Sequence, residues 1–108
     1  MATVAFPEVE DAILDRLEPL YNLILLDDDD HTYDYVVEML VKIFSFTETV
    51  AFRHAVEVDT QKRTLLLTGP LGEIERKRDQ IHAYGADWRL PRSKGSMTAI
   101  IEPAGPPE

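Results

Sequence analysis

Residues 21–46 read YNLILLDDDDHTYDYVVEMLVKIFSF and contain, in order, an apolar run, a block of four acids and a helical repeat. The apolar run at Tyr21–Leu26 has the length of a buried strand. Four adjacent acids cannot continue a core strand, so we predict that the strand stops there. Thr32 or Asp30 can then cap a helix that runs to the end of the stretch. Its apolar residues recur at helical spacing: Val36, Val37, Met39, Leu40, Ile43 and Phe44.

The residues that follow predict a second helix and a second strand. Thr47 is a good N-cap, because its side chain can accept a hydrogen bond from the first helical turn. Three apolar residues share one face of this helix: Ala51, Ala55 and Val58. The polar segment Asp59–Arg63 is interpreted as a turn, and Thr64–Thr68 as the strand.

A third helix and a third strand complete the predicted order. The core side of the helix is marked by Leu71, Ile74, Ile81 and Tyr84, and Gly85 can end it. Residues 85–96 form a long loop rich in Arg, Pro and Gly, and Met97–Glu102 is the last strand.

The predicted order is strand, helix, helix, strand, helix, strand. Three short strands can form one small sheet, so we predict an α+β fold in which a three-stranded antiparallel-type sheet carries three helices on one face. The segment boundaries predict a flexible acidic arm at residues 1–20, a core domain at 21–102 and a tail at 103–108.

Charge is distributed unevenly along this chain of 108 residues, whose net charge is −9. Residues 1–34 carry the whole excess, with ten acids and one base. An acidic front half repels phosphate backbones, so we expect no nucleic-acid partner and instead a cationic group such as an ammonium. The absence of cysteine excludes disulfides and thiolate metal sites. Because no apolar run approaches the roughly 20 residues of a membrane span, we expect neither membrane association nor a secretory signal.

The combined order and spacing of these segments resembles the ClpS family. The resemblance covers Tyr21–Tyr84 without a gap, and the last strand aligns again after an insertion around Trp88–Lys94. It implies a fold similar to the C-terminal domain of ribosomal protein L7/L12. It also implies a cytoplasmic, monomeric, non-enzymatic adaptor without cofactor or metal. Such an adaptor binds substrates through a free, large hydrophobic N-terminal residue, and its arm engages the N-terminal domain of a Clp-family ATPase.

The family's functional positions can be carried over one by one. The positions that bind the substrate's α-amino group fall on Asp27, Asp28, His31 and Asp59. Those of the hydrophobic pocket fall on Tyr33, Val36, Ala55, Val58 and Met97. The basic position that helps to dock the ATPase falls on Lys77. Several residue types differ from the family's usual ones: Asp27 stands for Asn, His31 for Thr, Tyr33 and Ala55 for Met, Asp59 for His and Met97 for Leu.

The chemistry of an ammonium group suits the acids at these positions. An α-ammonium is a three-donor cation, so it needs several acceptors held close together. Asp27, Asp28 and Asp59 supply carboxylates, and charge-assisted hydrogen bonds are the stronger kind. Repulsion among clustered carboxylates in the empty site opposes this gain. An apolar pocket discriminates between ligand side chains that differ by one methylene by only about 1–3 kcal/mol. The preferred N-terminal side chain therefore does not follow from the exchanges at Tyr33 and Ala55.

Several other interpretations of the same residues compete with an adaptor. Asp27–Asp30 would also suit a solvated turn at a helix N-terminus. A phospho-receiver domain is disfavoured, because the short distance from Asp59 to Thr68 leaves no room for a parallel crossover. The acidic run has neither the Gly nor the alternation of a calcium loop. His31, His54 and His82 lack metal-ligand spacing. The remaining alternative keeps the adaptor fold but binds a ligand without a free N-terminus.

Overall fold

The computed structural model describes residues 19–105. The chain forms three strands and three helices: β1 at Leu20–Leu26, α1 at Tyr33–Phe44, α2 at Glu48–Gln61, β2 at Arg63–Pro70, α3 at Leu71–His82 and β3 at Ala99–Pro103. Nearly all of the predicted arm and the last three residues of the predicted tail lie outside the described residues. Within residues 19–105, no helix is long and apolar enough to cross a membrane.

The sheet has the strand order β2-β1-β3, and both pairs are antiparallel. Leu23 in the central strand lies opposite Leu67 of β2 and Ile101 of β3. The predicted α+β fold is confirmed. A phospho-receiver domain is excluded because its sheet would be parallel, which the short connections of this chain do not allow.

The core lies between the helices and one face of the sheet. Leu23 and Leu25 alternate toward it from β1 and are fully buried. The helices contribute the other large side chains at their inner faces, among them Met39, Leu40, Ile74 and Ile81. Burial of each such side chain stabilises the fold by about 1.5–3 kcal/mol, and the core holds α1 and α2 against each other beside the sheet.

The first two helices, α1 and α2, begin at N-cap residues that the sequence predicts. The Thr32 side chain accepts a hydrogen bond from the Tyr35 amide at 3.1 Å, and Thr47 accepts one from the Val50 amide at 3.2 Å. Of the two cap candidates for α1, Thr32 is therefore the one that caps the helix. Each cap satisfies an amide that would otherwise lack a partner in the first turn.

Several element boundaries differ from the prediction. The third helix, α3, ends at His82, before Tyr84 and Gly85, and Leu71 on its predicted core side is 39% exposed. The turn predicted at Asp59–Arg63 is wrong, since α2 continues to Gln61 and closes at Lys62, which has a left-handed φ of 75°. Residues 59–61 are polar and exposed but include no Gly or Pro, so they extend the solvent side of the helix. The last strand begins at Ala99, so Met97 precedes it.

Candidate functional site

A pocket opens between the start of α1, the second half of α2 and the segment before β3. It holds about 290 Å³, counting its open mouth. Ten residues line it: Asp27, Asp28, His31, Thr32, Tyr33, Val36, Ala55, Val58, Asp59 and Met97. The structure thus brings all nine residues proposed for the α-amino and side-chain positions around one cavity, and it adds Thr32.

The walls of the pocket are apolar. Val36 comes from the inner face of α1, and Ala55 and Val58 lie three residues apart on the inner face of α2. Met97 approaches from the segment that leads into β3. All four are at most 4% exposed. The interior therefore suits an apolar side chain.

Tyr33 lies across the mouth of the pocket. Its hydroxyl donates a hydrogen bond of 2.6 Å to Oδ2 of Asp59. This hydrogen bond raises the pKa of Tyr33, and desolvation raises it further, so the hydroxyl keeps its proton and acts as the donor. The two residues come from the first turn of α1 and the last turn of α2, and their contact joins the two helices at the rim.

His31 connects the acidic turn to the loop before β3. Its Nδ1 lies 2.7 Å from Oδ1 of Asp28, and its Nε2 lies 2.7 Å from the carbonyl oxygen of Gly95. A carboxylate and a carbonyl both accept, so the imidazole makes both bonds when each ring nitrogen carries a proton. In this arrangement the ring has no lone pair left for an ammonium group, and it orients Asp28 instead.

Each of the three rim aspartates retains acceptor capacity. Asp28 uses Oδ1 for His31 and for the Asp30 amide, and its Oδ2 makes no hydrogen bond with residues 19–105. Asp59 likewise uses one oxygen, for Tyr33. Among residues 19–105, the Asp27 carboxylate has one partner, a 3.6 Å ion pair with Lys62, whose side chain is 76% exposed. A 3.6 Å pair with an exposed lysine contributes little, so the three aspartates that line the pocket keep carboxylate oxygens that residues 19–105 leave largely free.

Asp87, in the long loop, fixes that loop to the start of α1. Its carboxylate accepts hydrogen bonds from the Thr32 amide at 2.7 Å, the Arg89 amide at 3.0 Å and Arg89 Nη1 at 3.2 Å. The residue is 1% exposed. Burial alone raises the pKa of Asp87, but the hydrogen bonds from Thr32 and Arg89 outweigh it and lower the pKa to about 2.

Further hydrogen bonds attach the same loop to the core and to the acidic turn. The Tyr35 hydroxyl donates to the Gly85 carbonyl, and the Gly85 amide donates to the Ser96 hydroxyl, both at 2.6 Å. Arg92 donates to the backbone carbonyl of Asp29. The loop that carries Met97 to the pocket is therefore held at several points.

Lys77 lies on α3, away from the pocket. Its Nζ donates a hydrogen bond of 2.7 Å to the carbonyl of Ile43 in the last turn of α1 and lies 5.5 Å from the centre of the Phe44 ring. A cation at this place is favourable for the helix C-terminus. The structure gives Lys77 an internal partner, and its part in ATPase docking stays a prediction.

Sequence reasoning missed two residues that shape the site. Thr32 was expected only as a cap, although it also lines the pocket. Asp87 was not singled out, because a lone acid in a polar loop has no local pattern that reveals a distant partner. Within residues 19–105, no group of three or more His, Asp or Glu side chains is arranged to hold a metal ion.

The fold and the pocket define a class of small α+β domain with an apolar cavity and a carboxylate rim. A sequence model of the family described as ATP-dependent Clp protease adaptor protein ClpS matches residues 16–91. This match spans most of the chain, and the protein belongs to the ClpS family.

A solved structure shows the same fold. It is that of Agrobacterium tumefaciens ClpS2 bound to L-phenylalaninamide. The two structures superpose with a TM-score of 0.68, and the match covers 79% of this chain and 96% of that chain. The sequences are 20% identical, so this likeness bears on the fold.

Proposed function

We propose that this protein is a cytoplasmic adaptor without catalytic activity of its own. It binds substrate proteins through a free N-terminal residue with a large hydrophobic side chain, an N-degron, and delivers them to the N-terminal domain of a Clp-family ATPase. It acts as a monomer and needs no cofactor or metal. Membership of the ClpS family supports this role.

The observation that carries the proposal is an apolar pocket edged by three carboxylates. Val36, Ala55, Val58 and Met97 form the walls, and Asp27, Asp28 and Asp59 form the rim. Only the first residue of a chain places a positive α-ammonium directly beside its own side chain. The three N–H donors of that ammonium match the free oxygens of the rim, and the side chain enters the pocket.

The ligand of the Agrobacterium protein has the same chemistry. L-phenylalaninamide has a free α-amino group, an aromatic side chain and an amide where a peptide chain would continue. In the present chain, we place the ammonium between Asp28 and Asp59, with Asp27 beside it and His31 behind Asp28. Tyr33 leaves Asp59 or stacks on the bound side chain when the substrate enters.

Delivery requires a second contact with the ATPase. We assign it to the acidic arm at residues 1–20, together with the surface of α3 around Lys77. The hydrogen bond from Lys77 to Ile43 makes this lysine a support for the end of α1, so exposed neighbours on α3 share the docking role.

A second candidate function keeps the adaptor fold but does not use a free N-terminus. The observation that favours it is Trp88 in the inserted loop, which is 81% exposed and has the Arg89 guanidinium 4.6 Å from its ring centre. Exposed Trp and Arg are frequent anchors of protein interfaces. In this alternative, the loop and the acidic rim bind an internal segment of a partner.

Fluorescence anisotropy separates the two functions. Labelled peptides that begin with Phe or Leu are compared with the same peptides acetylated at the N-terminus. Acetylation removes the charge and two donors, so we expect binding to fall below detection. Equal affinity for the free and acetylated forms would rule out ammonium recognition and favour the second candidate.

A matched pair of variants tests the rim. Asp28→Asn removes a rim carboxylate, and a charged hydrogen bond contributes about 1.5–3 kcal/mol, so we expect affinity to fall at least about tenfold. Asp29→Asn makes the same charge change at the neighbouring residue, and we expect no more than about a twofold loss from it, since screened surface charge has a weak effect. Equal losses would mean that the acids act through long-range charge alone.

Degradation assays with a chain lacking residues 1–19 test delivery, with peptide binding as the control.

A further inference from the structure

Three of the large hydrophobic side chains exposed within residues 19–105 lie on the two helices that form the pocket, and the first of them also lines it. They are Tyr33, Phe52 and Val56, with exposures of 38%, 52% and 36%. Phe52, Val56 and Asp59 follow one another at helical spacing along α2, so this apolar stripe ends at the rim carboxylate. The Tyr33 ring bridges the helices here, with its centre 5.8 Å from that of Phe52.

Beside this stripe, a shallow groove runs between α1 and α2. It measures about 840 Å³ with its open side and is lined by Asp34, Val37, Glu48, Thr49, Phe52 and Arg53. Phe52 forms its apolar side and is not part of the hydrophobic core. Its ring contacts Tyr33, but burial in the core does not explain a phenylalanine at this position.

The groove, here called the Phe52 groove, continues the proposed substrate path. A chain whose first residue occupies the pocket leaves through the mouth, which Tyr33 borders. In an extended chain, residues one and three point to the same side and are about 7 Å apart, because the rise is about 3.3 Å per residue. The Tyr33 ring lines the pocket and its centre lies 5.8 Å from that of the Phe52 ring in the groove, so the groove begins within this reach.

We propose that the Phe52 groove is a second subsite, which receives the side chain of the third residue of the substrate whose first residue lies in the pocket. This inference rests on the proposed function. The subsite prefers an apolar side chain, which packs on Phe52 and Val37 while Tyr33 separates it from the first pocket. The two acids Asp34 and Glu48 outnumber the single base Arg53 in its lining, so an acidic third residue is disfavoured. Substrate choice thus depends on two positions of the degron.

The test uses peptides of the form Phe-Ser-X and Phe-X-Ser, followed by a constant tail, with X as Leu, Ser or Asp. With the full chain, we expect Leu at the third position to bind about fivefold more tightly than Ser, and Asp to bind more weakly than Ser. The same exchanges at the second position should change affinity less than twofold, because that side chain points away from the groove.

Two variants complete the experiment. Phe52→Ser should abolish the preference for Leu at the third position without changing the requirement for a free N-terminus. Leu65→Ser is the matched control, since Leu65 is 46% exposed on β2 and outside the groove, and it should keep the preference. Circular dichroism checks that both variants are folded before their affinities are compared.

The outcomes distinguish the subsite from the function on which it rests. Binding of Phe-initiated peptides with no effect of the third residue, or with a preference that persists in Phe52→Ser, overturns the subsite alone. An equal preference at the second position also overturns it. If no peptide with a free N-terminal Phe binds, both the subsite and the proposed function are wrong.

Discussion

The acidic turn at Asp27–Asp30 and the loop that contains Asp87 place carboxylates on either side of the start of α1, but they use them differently. In the turn, the side chains of Asp28 and Asp30 are 33% and 52% exposed. In the loop, Asp87 is buried and accepts three hydrogen bonds. Within residues 19–105, the turn leaves one carboxylate oxygen of Asp28 without a hydrogen bond, whereas the carboxylate of Asp87 holds the loop to α1.

This difference shows that the density of acids along a chain does not tell which carboxylate holds the structure together. The four clustered acids are conspicuous, and two of them, Asp29 and Asp30, are exposed. The single acid Asp87 binds the helix that carries Tyr33 and Val36. The free energy of unfolding should therefore depend on Asp87, and ligand affinity on the acids of the turn. The same Asp→Asn exchange in the loop and in the turn tests this expectation.

The largest effect on stability is expected for Asp87→Asn. The pKa of Asp87 is lowered from 3.8 to about 2, and this shift corresponds to about 2 kcal/mol of folding free energy near neutral pH. Urea unfolding at pH 7 should show a loss of about that size. Asp79→Asn is the control, because the Asp79 side chain is 69% exposed and lies on α3.

The pH dependence checks the cause of that loss. The folded pKa of Asp87 lies below its unfolded value, so its contribution is present above pH 3.8 and disappears as the pH falls toward about 2. The difference in free energy of unfolding between the parent and Asp87→Asn should therefore disappear over this pH interval. If this difference in free energy remained unchanged at pH 2, the charge of Asp87 would not be what stabilises the loop.

A smaller effect is expected for His31→Gln. The His31 side chain is 4% exposed and joins Asp28 to Gly95, and a glutamine cannot make both bonds. Loss of one such hydrogen bond costs about 1 kcal/mol, which urea unfolding can measure. A double-mutant cycle with Asp28→Asn should show coupling of about the same size. Additive effects would mean that His31 does not hold Asp28.

The smallest effect is expected for Asp29→Asn. The Asp29 carboxylate makes no hydrogen bond with residues 19–105, and only its backbone carbonyl contacts Arg92. Changes at such surface sites usually lie within about 0.5 kcal/mol. Thermal and urea unfolding should not distinguish this variant from the parent. If Asp29→Asn lowered the free energy of unfolding as much as Asp87→Asn does, the acids of the turn would stabilise the fold as strongly as the acid of the loop, contrary to this prediction.

Most of the fold could be predicted because its signals are local. The apolar run of β1 and the helical repeat of α1 are visible in adjacent residues, and Thr32 and Thr47 mark the helix starts. The end of α2 was missed since exposed polar residues look alike in a turn and on a helix surface. For the site, the resemblance to ClpS led to nine lining residues, and the structure brings them together.

The sequence by itself determined the order of strands and helices, the position of the acidic turn and the family, because these depend on neighbouring residues and their spacing. The tertiary structure alone decided the partners: His31 with Asp28 and Gly95, Asp87 with Thr32, and Tyr33 with Asp59. Most of these contacts join residues that are far apart in the chain. Such hydrogen bonds form only after the core has set the distance and angle between the elements, and no local pattern encodes that geometry.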